Sequence, residues 1–66
     1  MNKTMLKGKW NQLKGSIKKR WGKLTDDDLD VIEGDSQRLS GKIQEKYGKS
    51  KEEADQEVRE FEREQQ

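Results

Sequence analysis

The glycines of this chain form two series with identical spacing, and this regularity constrains the fold more than any other feature. Within each series the glycines are seven residues apart, and a shift of 26 residues maps the first series onto the second. In order, they are Gly8, Gly15, Gly22, Gly34, Gly41 and Gly48. A fixed shift of this kind is typical of a structural unit used twice, so the chain is predicted to contain an internal duplication.

Apolar residues and charges follow the same shift. Residues 1–24 carry eight bases and no acid, and residues 25–35 carry six acids and no base. The order then repeats, with five bases against one acid over residues 36–51 and two bases against seven acids over residues 52–66. The aligned pairs are Leu13 with Leu39, Ile17 with Ile43, Trp21 with Tyr47 and Lys23 with Lys49. Chance similarity in a Lys- and Glu-rich chain is the alternative, but agreement at several levels favours one domain over residues 1–66 with repeat units at about 4–33 and 34–63.

Apolar spacing and capping signals predict four helices. The first spans about residues 4–21, with Gly22 as a left-handed stop, and the third spans about 36–47, with Gly48 as its stop. The predicted N-caps of the second and fourth helices are Thr25 and Ser50, because each is followed three residues later by an acid. The second helix spans about residues 26–33 and the fourth about 51–63. Gly34 is the predicted stop of the second helix, and residues 1–3 and 63–66 are expected to fray. The residues predicted to face the core are Leu6, Trp10, Leu13, Ile17, Trp21, Leu24, Leu29, Ile32, Leu39, Ile43, Tyr47, Ala54, Val58 and Phe61.

No stretch of the chain alternates as a strand would, and no proline interrupts the predicted helices. The fold class is therefore all-α, a small four-helix domain of two packed helical hairpins. Only 26% of the residues are hydrophobic and 44% are charged, so we expect the fold to be stable by only a few kcal/mol. No apolar run is long enough for a membrane-spanning helix, and the absence of cysteine gives no sign of an oxidising compartment, which favours the cytoplasm.

Several stretches of the chain resemble the CsbD-like family of small bacterial stress-response proteins. Those stretches are Trp10-Asn11-Gln12-Leu13-Lys14-Gly15, Trp21-Gly22-Lys23-Leu24-Thr25-Asp26-Asp27-Asp28, Ile32-Glu33-Gly34 and Leu39-Ser40-Gly41-Lys42-Ile43-Gln44-Glu45-Lys46-Tyr47-Gly48. The resemblance covers about residues 10–60. It implies a four-helix fold and an abundant, stress-induced cytoplasmic protein, and it supplies no catalytic or ligand-binding residues.

The residue inventory argues against an enzyme. The chain has neither histidine nor cysteine, which removes the imidazole base, the thiolate nucleophile and the usual zinc ligands, and no cofactor or metal is expected. The run Asp26-Asp27-Asp28 is interpreted as helix capping, with loose Mg²⁺ or Ca²⁺ binding as the alternative. The leading hypothesis is a non-enzymatic, hydrophilin-like stress-response protein.

The basic first helix is the strongest sign of a different function, a nucleic-acid-binding module. The candidate phosphate contacts are Lys7, Lys9, Lys14, Lys18, Lys19, Arg20 and Lys23. Trp10 and Trp21 could stack on bases, but they share the apolar stripe of the helix and are interpreted as core residues. A solvated lysine face without a ligand is the simpler interpretation.

Gly15 and Gly41 lie in the middle of predicted helices, opposite the apolar stripe, where glycine costs about 1 kcal/mol relative to alanine. One interpretation is the close approach of another backbone, as in a homodimer. The other is a helix kept weak. The expected assembly is accordingly a monomer or a weak homodimer. The third functional hypothesis is a homo-oligomeric or partner-binding protein. The sequence indicates no specific partner.

Overall fold

The computed structural model describes the backbone of residues 3–65 and the side chains of residues 6–65. This part of the chain contains five helices. The helices are α1 (Lys3–Gly8), α2 (Trp10–Arg20), α3 (Asp26–Ile32), α4 (Ser36–Tyr47) and α5 (Lys51–Glu64). No strand occurs among these residues, as predicted for an all-α domain. The fraying predicted for the two ends falls partly on residues outside this range; within it, α1 already begins at Lys3 and α5 continues to Glu64.

The predicted first helix is divided in two at Lys9, so the prediction of a single helix over about residues 4–21, and with it the count of four helices, is wrong. Lys9 has φ −114° and ψ 20° and offers no side-chain cap to α2. Its neighbour Gly8 is a weak helix former, which makes a break here inexpensive. The break lets α1 turn onto the connection between α3 and α4, where an ideal Cβ on Gly34 would lie only 2.8 Å from the Cα of Lys7.

Two of the three predicted glycine stops are left-handed, and the third is not. Gly34 has φ +81° and Gly48 has φ +64°, and Gly48 caps the end of α4 as predicted. Gly22 does not have a positive φ, so the predicted left-handed stop of the first helix is wrong. The chain leaves α2 at Trp21 instead, with φ −118° and ψ 78°. This extended exit directs the Trp21 ring into the core, where it is 3% exposed.

Both predicted capping boxes are present, and they fix the starts of α3 and α5. The Thr25 hydroxyl accepts from the Asp28 backbone N–H at 3.1 Å, and an Asp28 carboxylate oxygen accepts from the Thr25 N–H at 2.9 Å. Ser50 and Glu53 make the same reciprocal pair at 3.1 and 3.0 Å. Each box satisfies backbone donors that a helix start otherwise leaves without partners. The local sequence is thus sufficient to locate these two starts.

The apolar stripes of all five helices meet in one core. Twelve of the fourteen predicted core residues are buried, and Trp10 and Tyr47 are partly buried against them. The Trp21 and Phe61 rings pack with centroids 5.4 Å apart, which joins the end of α2 to α5. The most extensive helix contact is between α4 and α5, and the domain measures 27 × 23 × 17 Å. Within the described residues, no helix has the length and apolar character required to cross a bilayer.

Candidate functional site

The outer surface of α1 and α2 carries five exposed lysines, which we call the lysine face: Lys7, Lys9, Lys14, Lys18 and Lys19. Lys14, Lys18 and Lys19 are exposed because Leu13 and Ile17 occupy the buried side of α2, and Lys7 and Lys9 are exposed before that helix begins. Lys18 forms an ion pair with Asp26 at 3.2 Å, but the Asp26 side chain is 88% exposed, so water screens the pair and it adds little stability. The other four lysines form no ion pair with any residue that the structure describes.

Arg20 and Lys23, the two remaining candidate phosphate contacts, are engaged within the protein. The Arg20 guanidinium donates to a Glu64 carboxylate oxygen at 2.6 Å and lies over the rings of Trp21 and Phe61, at 5.4 and 6.0 Å from their centroids. The Lys23 ammonium lies 5.0 Å from the centroid of the Tyr47 ring. Lys7, Lys14, Lys18 and Lys19 are exposed in the structure, whereas Arg20 and Lys23 fasten α2 and its exit to the core.

The tryptophans belong to the core, as predicted, and not to an exposed platform. Trp21 is 3% exposed, and its indole N–H donates to Glu57 at 2.9 Å. Lys49 forms an ion pair with the second oxygen of the same carboxylate, which holds Glu57 in place. Trp10 is half-buried and packs against the core from the start of α2. Stacking of bases on Trp21 would therefore require the protein to open.

A shallow groove of about 430 Å³ lies where α1 meets α2. Its lining is polar and includes Lys7, Lys9 and Glu33 beside the half-buried Trp10. The three charged side chains in its lining are all exposed to water. No group of three or more His, Cys, Asp or Glu side chains able to hold a metal ion occurs in the part of the chain that the structure describes.

Asp28 is the most strongly engaged carboxylate in the domain, and it is nearly buried. Besides its capping bond to Thr25, it forms ion pairs with Lys42 at 3.2 Å and with Lys46 at 3.1 Å. The Thr25 backbone N–H is the largest influence, and it lowers the pKa of Asp28 far below the usual range. Burial opposes this shift, whereas the two ammonium groups add to it. The capping interpretation of this carboxylate is confirmed, and the ion pairs add a link between α3 and α4 that the sequence did not reveal.

The sequence model of one protein family, described as CsbD-like, matches residues 4–56 of the chain. The chain belongs to the CsbD-like family. It is 61% identical over 61 residues to a UPF0337 protein of Pseudomonas aeruginosa, covering 92% of this chain and 94% of the relative. It is also 57% identical to a UPF0337 protein of Bordetella pertussis, covering 92% of each chain, and 53% identical to the UPF0337 protein YjbJ of Escherichia coli, covering 94% of this chain and 90% of YjbJ. No solved structure matches the chain. None of these names states an activity, a ligand or a partner.

Acid should destabilise this CsbD-like domain, in part through Asp28. A carboxylate whose pKa is lowered by folding stabilises the fold at any pH above its pKa in the unfolded chain, which is 3.8 for aspartate. This stabilisation is lost as the pH falls below that pKa. Thermal unfolding between pH 5 and pH 2 should therefore show a fall of several degrees in Tm below about pH 4. Asp28→Asn should flatten this fall, whereas the exposed neighbour Asp27→Asn should not. An equal fall in both variants would assign the acid sensitivity to other carboxylates.

Glu62 is a buried carboxyl group in α5 that sequence reasoning missed. It is 4% exposed, and its Oε2 has no hydrogen-bond partner among the residues that the structure describes. Burial raises the pKa of Glu62 above its usual range. Helical spacing is the signal that could have found it, because Glu62 follows Ala54 and Val58 at intervals of four residues and so lies on the apolar stripe of α5.

Replacing Glu62 with glutamine should stabilise the CsbD-like domain by about 1 kcal/mol at pH 7, because it removes a buried charge whose Oε2 has no hydrogen-bond partner among the described residues. Since the folded-state pKa is raised, the cost of that charge disappears as the pH falls toward the unfolded value of 4.5, and the gain should shrink with it. Urea unfolding at pH 7 and at pH 4.5 measures both effects. Glu60→Gln, on the exposed side of the same helix, is the matched control and should change little. A gain that is the same at both pH values would contradict the burial of an ionised Glu62.

Proposed function

We propose that this CsbD-like protein is a non-enzymatic, hydrophilin-like stress-response protein of the bacterial cytoplasm. In this proposal it protects other macromolecules through its high solubility, dense surface charge and weakly stable fold. The observation that carries the proposal is the surroundings of Gly15 and Gly41. Both lie inside helices, and a Cβ added at either position would meet no atom within 4 Å.

An open mid-helix glycine weakens a helix without any packing benefit. Glycine costs about 1 kcal/mol relative to alanine at such a position, because the unfolded chain has more backbone freedom to lose. Neither Gly15 nor Gly41 has a positive φ, so no backbone conformation requires glycine there. Within this chain the two residues therefore act only to reduce stability, which suits a protein whose usefulness depends on opening readily.

The high content of charged residues and the small number of apolar residues support the same proposal. Most ion pairs join side chains that are partly or largely exposed, such as Lys18 with Asp26 and Lys51 with Asp55, and pairs of this kind contribute little stability. With 44% charged and only 26% hydrophobic residues, the chain stays well hydrated whether it is folded or open. Loss of the fold therefore exposes few apolar groups that could aggregate.

The proposal retains the internal duplication, with repeat units at about residues 4–33 and 34–63 arranged as two packed hairpins. The support for it is that equivalent features recur at equivalent places. Gly15 and Gly41 are both open mid-helix positions, and Thr25 and Ser50 both head a capping box. The units have diverged, because only the first is divided by a break, at Lys9.

Protection of a labile enzyme tests the proposed function. The purified protein is mixed with an enzyme that loses activity on drying or freezing, and an equal mass of an inert globular protein serves as the control. We expect the enzyme to retain more activity with the CsbD-like protein than with the control. Equal retention in the two mixtures would remove the basis for a protective function.

Close approach of a second copy is the alternative use of the two open glycines. A helix surface without side chains allows another backbone to come near, which is the second interpretation that the sequence leaves open. Sedimentation from micromolar to millimolar protein distinguishes glycines that only weaken the helices from glycines that form an interface. A monomer throughout supports glycines that weaken the helices, whereas association that Gly15→Ala or Gly41→Ala abolishes supports an interface.

A further inference from the structure

We propose that the lysine face binds the phosphate backbone of double-stranded nucleic acid, without reading its sequence. The first observation is how unevenly the free cations are distributed. Basic side chains elsewhere mostly have partners within the protein, as Lys42 and Lys46 have in Asp28. Four of the five lysines of the lysine face have no ion-pair partner among the described residues, and no acid occurs anywhere in residues 1–24. A cluster of uncompensated positive charge on one surface attracts a polyanion.

The second observation is the shape of this surface on α2. Lys14 and Lys18 are one turn apart, about 6 Å along the helix axis, and Lys19 lies one turn after Gly15 on the exposed side of α2. The space beyond Gly15 is open. Gly15 therefore leaves one bare position beside Lys18 and Lys19, which a phosphate group can approach closely.

The third observation concerns the kind of nucleic acid. Proteins that bind single strands without sequence preference stack bases on exposed aromatic rings. Here the Trp21 ring is buried against Phe61, and the Tyr47 ring is covered by the Lys23 ammonium. Trp10, in the groove beside Lys7 and Lys9, is half-buried and packed against the core, so binding comes mainly from phosphate contacts. A duplex carries one charge per about 1.7 Å of its axis, and it releases more counterions per contact than a single strand, so a surface of this kind favours the duplex.

The existing ion pair on the lysine face does not prevent binding. Lys18 is bonded only to Asp26, and both side chains are substantially exposed, so exchanging this carboxylate for a phosphate costs little. With the three lysines of α2 in contact, log K should fall with log[salt] with a slope of about −2.7, which corresponds to a loss of roughly 40-fold in affinity between about 50 and 200 mM salt.

Fluorescence anisotropy with a labelled duplex of about 20 base pairs and mixed sequence tests the proposal, using the full chain at low salt. Lys14→Gln with Lys19→Gln should weaken binding at least about tenfold and reduce the salt slope by about 2. The matched control is Arg59→Gln with Arg63→Gln, which removes the same charge from the exposed side of α5 and should change affinity less than about threefold. Circular dichroism of both variants establishes that these surface changes leave the helices intact.

Four results would overturn the proposal. The first is no salt-sensitive anisotropy change at micromolar protein. The second is an equal loss of affinity in the α5 control, which would reflect net charge and not the lysine face. The third is tighter binding of a single strand of the same length, which would require base stacking. The fourth is binding of vesicles rich in anionic lipid without binding of the duplex.

Discussion

Replacing Gly34 with alanine should destabilise the domain by about 3 kcal/mol, a large part of the stability expected for a chain of this size. Two costs combine at this position. The backbone has φ +81°, which disfavours any residue with a Cβ, and that Cβ would lie 2.8 Å from the Cα of Lys7. Because the obstructing atom is backbone, α1 would have to move away and uncover Leu6, which is fully buried. Urea unfolding followed by circular dichroism measures the loss.

Gly48→Ala is the matched control for this prediction. Gly48 is also left-handed, with φ +64°, but a Cβ there would meet nothing within 4 Å. Its replacement should cost only the conformational term, about 1 kcal/mol. The difference between the two variants isolates the contact between α1 and the connection of α3 to α4. Equal losses would mean that α1 does not pack closely on Gly34.

The double replacement Gly15→Ala with Gly41→Ala should stabilise the domain by about 2 kcal/mol, about 1 kcal/mol from each site. The added methyl groups meet no atom within 4 Å, so no clash offsets the gain in helix propensity. The two sites lie on different helices, and the gains should therefore add. For a domain of this size the Tm should rise by roughly 8–16 °C.

Gln12→Ala is the control for the double variant, because Gln12 is exposed on α2 and glutamine is already a good helix former. It should change the free energy of unfolding by only a few tenths of a kcal/mol. A double variant that is no more stable than the wild type would show that the glycines make contacts beyond those within one chain. If the expected stabilisation were missing only at high protein concentration, those contacts would be with a second copy.

Features that depend on near neighbours in the sequence could be predicted. The capping boxes at Thr25 and Ser50 and the left-handed end of α4 at Gly48 involve residues within one turn of each other. The core also followed from helical spacing, because the apolar residues are so few that nearly all of them must be used. This is why the fold class and most helix bounds could be obtained from the sequence alone.

Features that depend on distant contacts could not be predicted. The break at Lys9 follows from α1 packing on Gly34, 27 positions beyond Lys7. Spacing alone gives no reason to divide a stripe that continues in register from Leu6 to Leu13. The exit of α2 similarly depends on Trp21 reaching Phe61 and Glu57 in the last helix. In both places tertiary packing overrides the local preference.

The candidate site could also be predicted only in part. Its positive charge is evident in the sequence, since residues 1–24 contain no acid. Which cations remain free is not evident, because Arg20 is paired with Glu64, a residue 44 positions away. The burial of Trp21 was predicted from its place on the apolar stripe, and the structure confirms it.

The central claim is that the usefulness of this CsbD-like protein depends on a fold kept weak at Gly15 and Gly41. The direct test compares the wild type and the double alanine variant, at equal mass, as protectants of a labile enzyme during drying. The net charge and the side chains of the surface are otherwise unchanged, so stability is the main variable. We predict that the more stable variant protects less well. Equal or better protection by a variant shown to be more stable would contradict the claim.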